Sequence, residues 1–158
     1  MLKITIGIAM IILSTIAGKN FTKKHRERVK FFSSLNDFNS ELIRDISYKS
    51  EGVCAALKQS YGNEAFDEYA FKVLSAYEND DEMPLPPDII EKPDAETVKG
   101  YFMHIGKYGR ASERDYLLSK REEFKKRTEE LKEYSNKFTA LGGKLGFALG
   151  AALFIIVV

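Results

Sequence analysis

The sequence predicts an all-α protein, a cytoplasmic bundle of about five helices between two terminal transmembrane helices. Three observations predict it. Apolar residues recur at three- and four-residue steps through the middle of the chain, the mark of helices with one buried face. No segment alternates apolar and polar residues as a strand does. The two long uncharged runs, residues 4–18 and 145–158, lie at opposite ends of the 158-residue chain.

The first run holds fifteen residues without a charge and the second fourteen. A hydrocarbon core of ~30 Å takes ~20 helical residues at 1.5 Å each. Residues 1–3 and 19–21 extend the first run, and 139–144 extend the second if Lys144 snorkels to the headgroups. Both runs are apolar on every face, and a core helix of that kind would need partners around its whole circumference. Residues 1–21 and 139–158 are therefore read as membrane helices, with 22–138 as the domain between them. A cleaved signal peptide is the rival for the first run, but Ile16-Ala17-Gly18 is a poor small-x-small site.

Topology follows from the cations. Lys19, Lys23, Lys24, Arg26, Arg28 and Lys30 follow the first run with only Glu27 opposing them, and such a block resists translocation. Lys132, Lys137 and Lys144 precede the second run, and no charge follows it. Both signals put the centre of the chain in the cytoplasm and the two ends outside. Within the second run Gly142, Gly146 and Gly150 are four apart and share a helix face, which lets a neighbouring helix approach to backbone contact. The first span and a second copy of the chain fit that role equally.

In the middle, Phe31, Leu35, Phe38, Leu42 and Ile46 form a stripe that continues from the first span. Residues 51–57 suit a short helix with Ser50 as N-cap. Asn63 is placed to cap the next, on which Phe66, Tyr69, Ala70, Val73, Leu74 and Tyr77 make a wide apolar face. Four prolines then fall within ten residues, so 79–94 is expected to be an extended acidic connector. Asp94 is expected to cap a helix carrying Val98, Tyr101, Phe102 and Ile105, with Gly106 and Gly109 marking the turn after it. Ser112 opens the last helix, where Leu117, Phe124, Leu131 and Phe138 lie seven apart. The intervening Arg121, Thr128 and Ser135 are polar, which suits a bundle helix better than a coiled coil.

The formal charge of +1 hides a strong segregation. Residues 19–49 carry eight cations and four anions, net +4; residues 50–98 carry three and twelve, net −9; residues 99–144 carry twelve and seven, net +5. The basic segments adjoin the two spans, where an anionic cytoplasmic leaflet attracts them. The acidic segment holds Asp80, Asp81 and Glu82, the candidate docking residues for a basic cytoplasmic partner.

Little points to catalysis, and no catalytic, cofactor-binding or metal residue is assigned. Cys54, in VCAAL, suits a buried helix face. His25 belongs to the basic flank, and His104 has no carboxylate at a spacing that would orient it as a base. Neither a Walker A sequence nor GxGxxG occurs. Asp80, Asp81 and Glu82 lack the spacing and glycine of a calcium loop. The run KKHRERVK lies where topology already demands cations, so nucleic acid is not an expected partner.

Three local patterns add a resemblance. Asp45-Ile46-Ser47-Tyr48 is followed by Val53 and by Ala56-Leu57. Residues 106–113 read GKYGRASE. Lys137-Phe138-Thr139-Ala140-Leu141-Gly142 leads into a glycine-rich aliphatic end. Together with the two-span organisation, these are similar to stage III sporulation protein AB of endospore-forming bacteria. Gly52 stands where that family has proline, and Glu113 where it has aspartate. The resemblance implies a membrane protein of the mother cell, part of a channel or secretion-like complex with the forespore. It also implies a head similar to the platform domains of type II secretion and type IV pilus systems. Its implied partners are a cytoplasmic ATPase, stage III sporulation protein AA, and other stage III sporulation membrane proteins. The expected function is thus a non-catalytic, membrane-anchored assembly platform that docks the ATPase. The alternative is a small oligomeric pore-forming or membrane-perturbing protein that associates through Gly142, Gly146 and Gly150.

Overall fold

The computed structural model describes the backbone of residues 2–48, 52–107 and 109–157, and the side chains of 23–46, 52–107, 109–139, Ile16, Ala148 and Ala152. All regular structure in it is helical. The order is α1 (Leu2–Tyr48), α2 (Val53–Leu57), α3 (Glu64–Asn79), α4 (Lys92–His104) and α5 (Arg110–Val157). Five helices match the expected bundle, and no strand occurs among the described residues. The chain divides into two compact units, Lys30–Glu129 and the pair of terminal segments Met1–Val29 with Glu130–Val158. Residues 22–29 and 130–138, read from the sequence as part of the central domain, group with the terminal segments. The two expected membrane spans lie almost wholly outside the residues whose side chains are described. Among the described residues, no helix is long and apolar enough to cross a membrane.

The core of the Lys30–Glu129 unit is aromatic. Phe31, Leu35, Phe38 and Leu42 of the predicted stripe on α1 are buried, Ile46 at its end is half-buried, and Phe32, outside the stripe, is buried as well. Phe38 stands at the centre, with ring centroids 5.5 Å from Phe102, 5.6 Å from Tyr61, 6.0 Å from Phe66 and 6.3 Å from Tyr101. The contacts with Tyr61 and Tyr101 are edge-to-face and the other two are tilted, and such ring pairs add to the hydrophobic gain from burial. Truncating a ring buried this deeply to alanine costs ~3–5 kcal/mol in typical cores.

One polar residue sits inside this cluster. Asn39 is fully buried on α1. Its Nδ2 donates to the Leu117 carbonyl on α5 at 2.9 Å, and its Oδ1 accepts the Tyr101 hydroxyl of α4 at 2.9 Å. A single side chain thereby ties three helices. Burial raises the pKa of the Tyr101 hydroxyl well above the usual phenol range, so it stays protonated as the donor.

The remaining elements follow local rules, with some departures from expectation. Asn63 caps α3 as its position predicts, its Oδ1 accepting the Phe66 N–H at 3.0 Å. The expected cap of α2 at Ser50 lies outside the described residues; α2 starts after Gly52 and buries only Ala56 and Leu57. Cys54 therefore departs from expectation: on a five-residue helix it falls on the outer side and is exposed. Asp94 is a second correction. The N-cap of α4 is Glu91, Pro93 occupies the first turn, and Asp94 instead takes a two-pronged contact from Arg127 of α5. Both Arg127–Asp94 hydrogen bonds are 3.0 Å. Proline suits a first helical turn because it has no N–H to leave unpaired there. The irregular connector is thus 80–91 rather than 79–94. It is held to the core by buried Pro86 and Ile90 and by the Tyr69 hydroxyl, which donates to the Pro84 carbonyl at 3.1 Å. On α5, Leu117, Phe124 and Leu131 are buried and Phe138 is half-buried, and the helix opens at Arg110 rather than Ser112.

The Asn39 network gives a stability test. Asn39→Ala leaves the Tyr101 hydroxyl buried without its acceptor, at an expected cost of ~1–3 kcal/mol. Adding Tyr101→Phe to that variant removes the orphaned group, so the double variant is less destabilised than the sum of the singles. Denaturant unfolding of the four proteins, followed by helical circular dichroism, measures the coupling, expected above ~0.5 kcal/mol. Additive losses would show that the two side chains do not act together.

Candidate docking surface

The acidic segment lies on the Lys30–Glu129 unit, and helix α3 organises much of it. One face of α3 carries the buried Phe66, Tyr69, Ala70, Val73 and Leu74. The opposite face, with the same 3.6-residue period, carries Glu64, Glu68, Phe71, Ser75 and Glu78, all exposed. Lys72 lies beside this row, and its ammonium is 2.7 Å from the Glu68 carboxylate. That hydrogen bond holds the Glu68 pKa below its ordinary value. Lys58 reaches Glu78 at 3.6 Å. Exposed pairs of this kind stabilise little and leave the field of the face acidic. Residues 64–96 hold eleven anions and two cations, net −9.

Asp80, Asp81 and Glu82 continue directly from α3, and all three are exposed. Asp80 ends the helix in the left-handed conformation at φ 57°, a geometry aspartate tolerates better than most residues. The Asp81 N–H donates to the Ala76 carbonyl at 3.0 Å, which closes the helix end. Glu82 reaches across to Lys99 of α4 at 3.1 Å. The three carboxylates are thus presented from a fixed helix end, and one of them is partly neutralised.

Sequence reasoning missed Phe71. It is 69% exposed, an apolar ring on an otherwise polar arc. The signal was available: Phe71 sits seven residues from both Glu64 and Glu78, on the side of the wheel opposite the stripe that predicts the core.

A second site forms where two glycine turns meet. Gly52 donates its N–H to the buried Asp45 carboxylate at 2.9 Å, and Gly106 donates to the buried Glu113 carboxylate at 2.8 Å. The turns touch: a Cβ added at Gly106 would lie 3.2 Å from a methyl of Val53. Beside them is a cavity of about 490 Å³ with Leu42, Ile46, Ile105 and Leu117 on its apolar wall and Lys107 and Arg110 also lining it. Both carboxylates bind backbone amides, so their visible work is to hold the turns. The sequence reading noted Asp45 and Glu113 only as family-like positions and did not bring them together.

The cations assigned to topology fall in two groups. Lys23, Lys24, Arg26 and Lys30 are exposed, whereas Arg28 is 3% exposed. The side chain of Lys19 lies outside the described residues. In the terminal unit, His25 stacks on Phe138 with centroids 5.2 Å apart and meets Tyr134 edge-on at 5.3 Å. It therefore packs against an aromatic pair rather than only joining the surface charge. Gly142, Gly146 and Gly150 are helical within α5, and their packing lies outside the described residues. His104 is exposed, with Nδ1 2.6 Å from the Gly100 carbonyl. Among the described residues, no cluster of His, Cys, Asp or Glu is placed to hold a metal ion.

Two glycines separate backbone need from mere tolerance. Gly106 has φ +78° and Val53 in the way of a Cβ, so Gly106→Ala is expected to destabilise by ~1–2 kcal/mol. Gly100 lies inside α4 with open space around it, so Gly100→Ala is expected to stabilise by up to ~1 kcal/mol. Thermal unfolding of the two variants checks both signs, and a neutral Gly106→Ala would contradict the turn assignment.

No family model, no curated protein and no solved structure matches the chain.

Proposed function

We propose that the chain is a non-catalytic, membrane-anchored assembly platform of the stage III sporulation protein AB type, whose helical domain docks a cytoplasmic ATPase. The observation that carries this reading is the division of charge along the chain. Eleven anions within residues 64–96 fall on α3, the connector and the start of α4, while the segments that flank this stretch, 19–49 and 99–144, are net +4 and +5 and lead to the two apolar runs. A field of that kind steers a basic partner to one face and leaves juxtamembrane cations for an anionic leaflet. The turn contact adds support. Two of the segments that carry the family resemblance, 45–57 and 106–113, are far apart in sequence, yet they meet through Gly106 and Val53. In this reading the two terminal runs are the anchors, in the bacterial cell membrane, with the helical domain on the cytoplasmic side. Stage III sporulation protein AA is the motor, and other stage III sporulation membrane proteins complete the complex.

The test is retention of the ATPase by the purified full-length chain in detergent. The wild-type chain is expected to retain it, and the triple variant Asp80→Lys, Asp81→Lys, Glu82→Lys to weaken retention by about tenfold or more. Retention unchanged by the triple reversal would remove these residues as the docking contact. A wild-type chain that ignores the ATPase and releases dye from liposomes would replace the platform with the pore-forming alternative.

A further inference from the structure

The outer face of α3 combines two features. It is regular and rigid, because the opposite face of the same helix is locked into the aromatic core by Phe66, Tyr69 and Val73, all buried. It also exposes an aromatic ring, Phe71, at the centre of a row of carboxylates: Glu64 and Glu68 precede it and Glu78 follows. Phe71 has no structural reason to be apolar, since 69% of it faces solvent. Large rings at the centre of a patch are where binding energy concentrates, and a surrounding polar rim is the usual anatomy of such a patch.

We propose that this face of α3 is the docking site for an amphipathic helix of the ATPase, one that carries an apolar residue flanked by lysine or arginine. The proposal rests on the platform reading above and deepens it by naming the contact. Glu64, Phe71 and Glu78 stand at seven-residue intervals, with Glu68 and Ser75 between them, a row suited to a helix lying along it. The occupant is basic because the row and the residues after it are acidic: Glu64, Glu68, Glu78, Asp80, Asp81 and Glu82 outnumber Lys72, Lys58 and Lys99, which pair with three of them. An acidic or purely apolar helix would leave these carboxylates facing like charge or bury them unpaired. Phe71 supplies the desolvated centre, and the carboxylates supply orientation and rate of encounter.

The experiment measures binding of the ATPase to the immobilised full-length chain in detergent by biolayer interferometry. Phe71→Ala is expected to weaken binding by about tenfold or more while helical circular dichroism and the melting temperature stay as in wild type. Glu64→Lys with Glu68→Lys is a second, independent variant on exposed positions and is expected to weaken binding similarly and to slow association at low salt. Met103→Ala, an exposed apolar residue on α4, is expected to bind as wild type. If Phe71→Ala and the charge-reversed variant bind as wild type while the Asp80, Asp81, Glu82 reversal does not, docking stands and this face is overturned as its site. If the wild-type chain does not bind the ATPase, the platform reading itself falls and takes this contact with it. Sedimentation gives the remaining outcome. A Phe71→Ala effect confined to self-association would assign the face to a second copy of the chain and overturn the proposal.

Discussion

The Lys30–Glu129 unit depends on one buried amide. Asn39 is fully buried, so its donor and acceptor each need a partner, and they find them on two different helices. That requirement constrains the register of α1, α4 and α5 more narrowly than apolar packing does, because aromatic rings tolerate small slides and a hydrogen bond does not. Around it, Phe38, Phe66, Tyr101 and Phe102 fill the space between the helices. Once α1, α4 and α5 are tied, α3 packs its apolar face against the same rings, and its other face is left to solvent. The acidic row is therefore held in place by the core behind it. Its rigidity is a consequence of Asn39 and its neighbours rather than of any contact among the carboxylates.

The rest of the chemistry is distributed by the same division. Carboxylates that the fold needs are buried and turned to backbone amides, as with Asp45 and Glu113, or to a guanidinium, as with Asp94 and Arg127. Others, such as Glu64 and Glu78 on α3 and Asp80 and Asp81 at its end, face solvent. The two classes cannot be told apart by counting charge. They separate only when the partner of each oxygen is known.

The helices themselves were legible because their signals are local. The stripe from Phe31 to Leu42, the cap at Asn63 and the seven-residue row on α5 each depend on residues within one or two turns of helix. Asp94 was misread because aspartate before a helix is a strong capping signal, and Arg127, more than thirty residues away, outbid the backbone for it. Cys54 was misread because small neighbours resemble a core, while α2 is too short to bury more than two of its residues. The turn contacts of Asp45 and Glu113 join segments whose closeness no local pattern encodes. Phe71 was passed over for a different reason: attention to the apolar stripe of α3 hides an apolar residue that lies off it. The proposed platform role rests on resemblance and charge, and the structure contributes the surface on which that proposal can be tested.

The central claim is that this chain brings a cytoplasmic ATPase to a membrane. The most direct measurement is flotation of that ATPase, without nucleotide, through a density gradient with proteoliposomes that contain the full-length chain. The account predicts that the ATPase rises with the proteoliposomes and stays at the bottom with empty liposomes of the same lipids. An ATPase that stays at the bottom with both, while the chain itself floats, would contradict it.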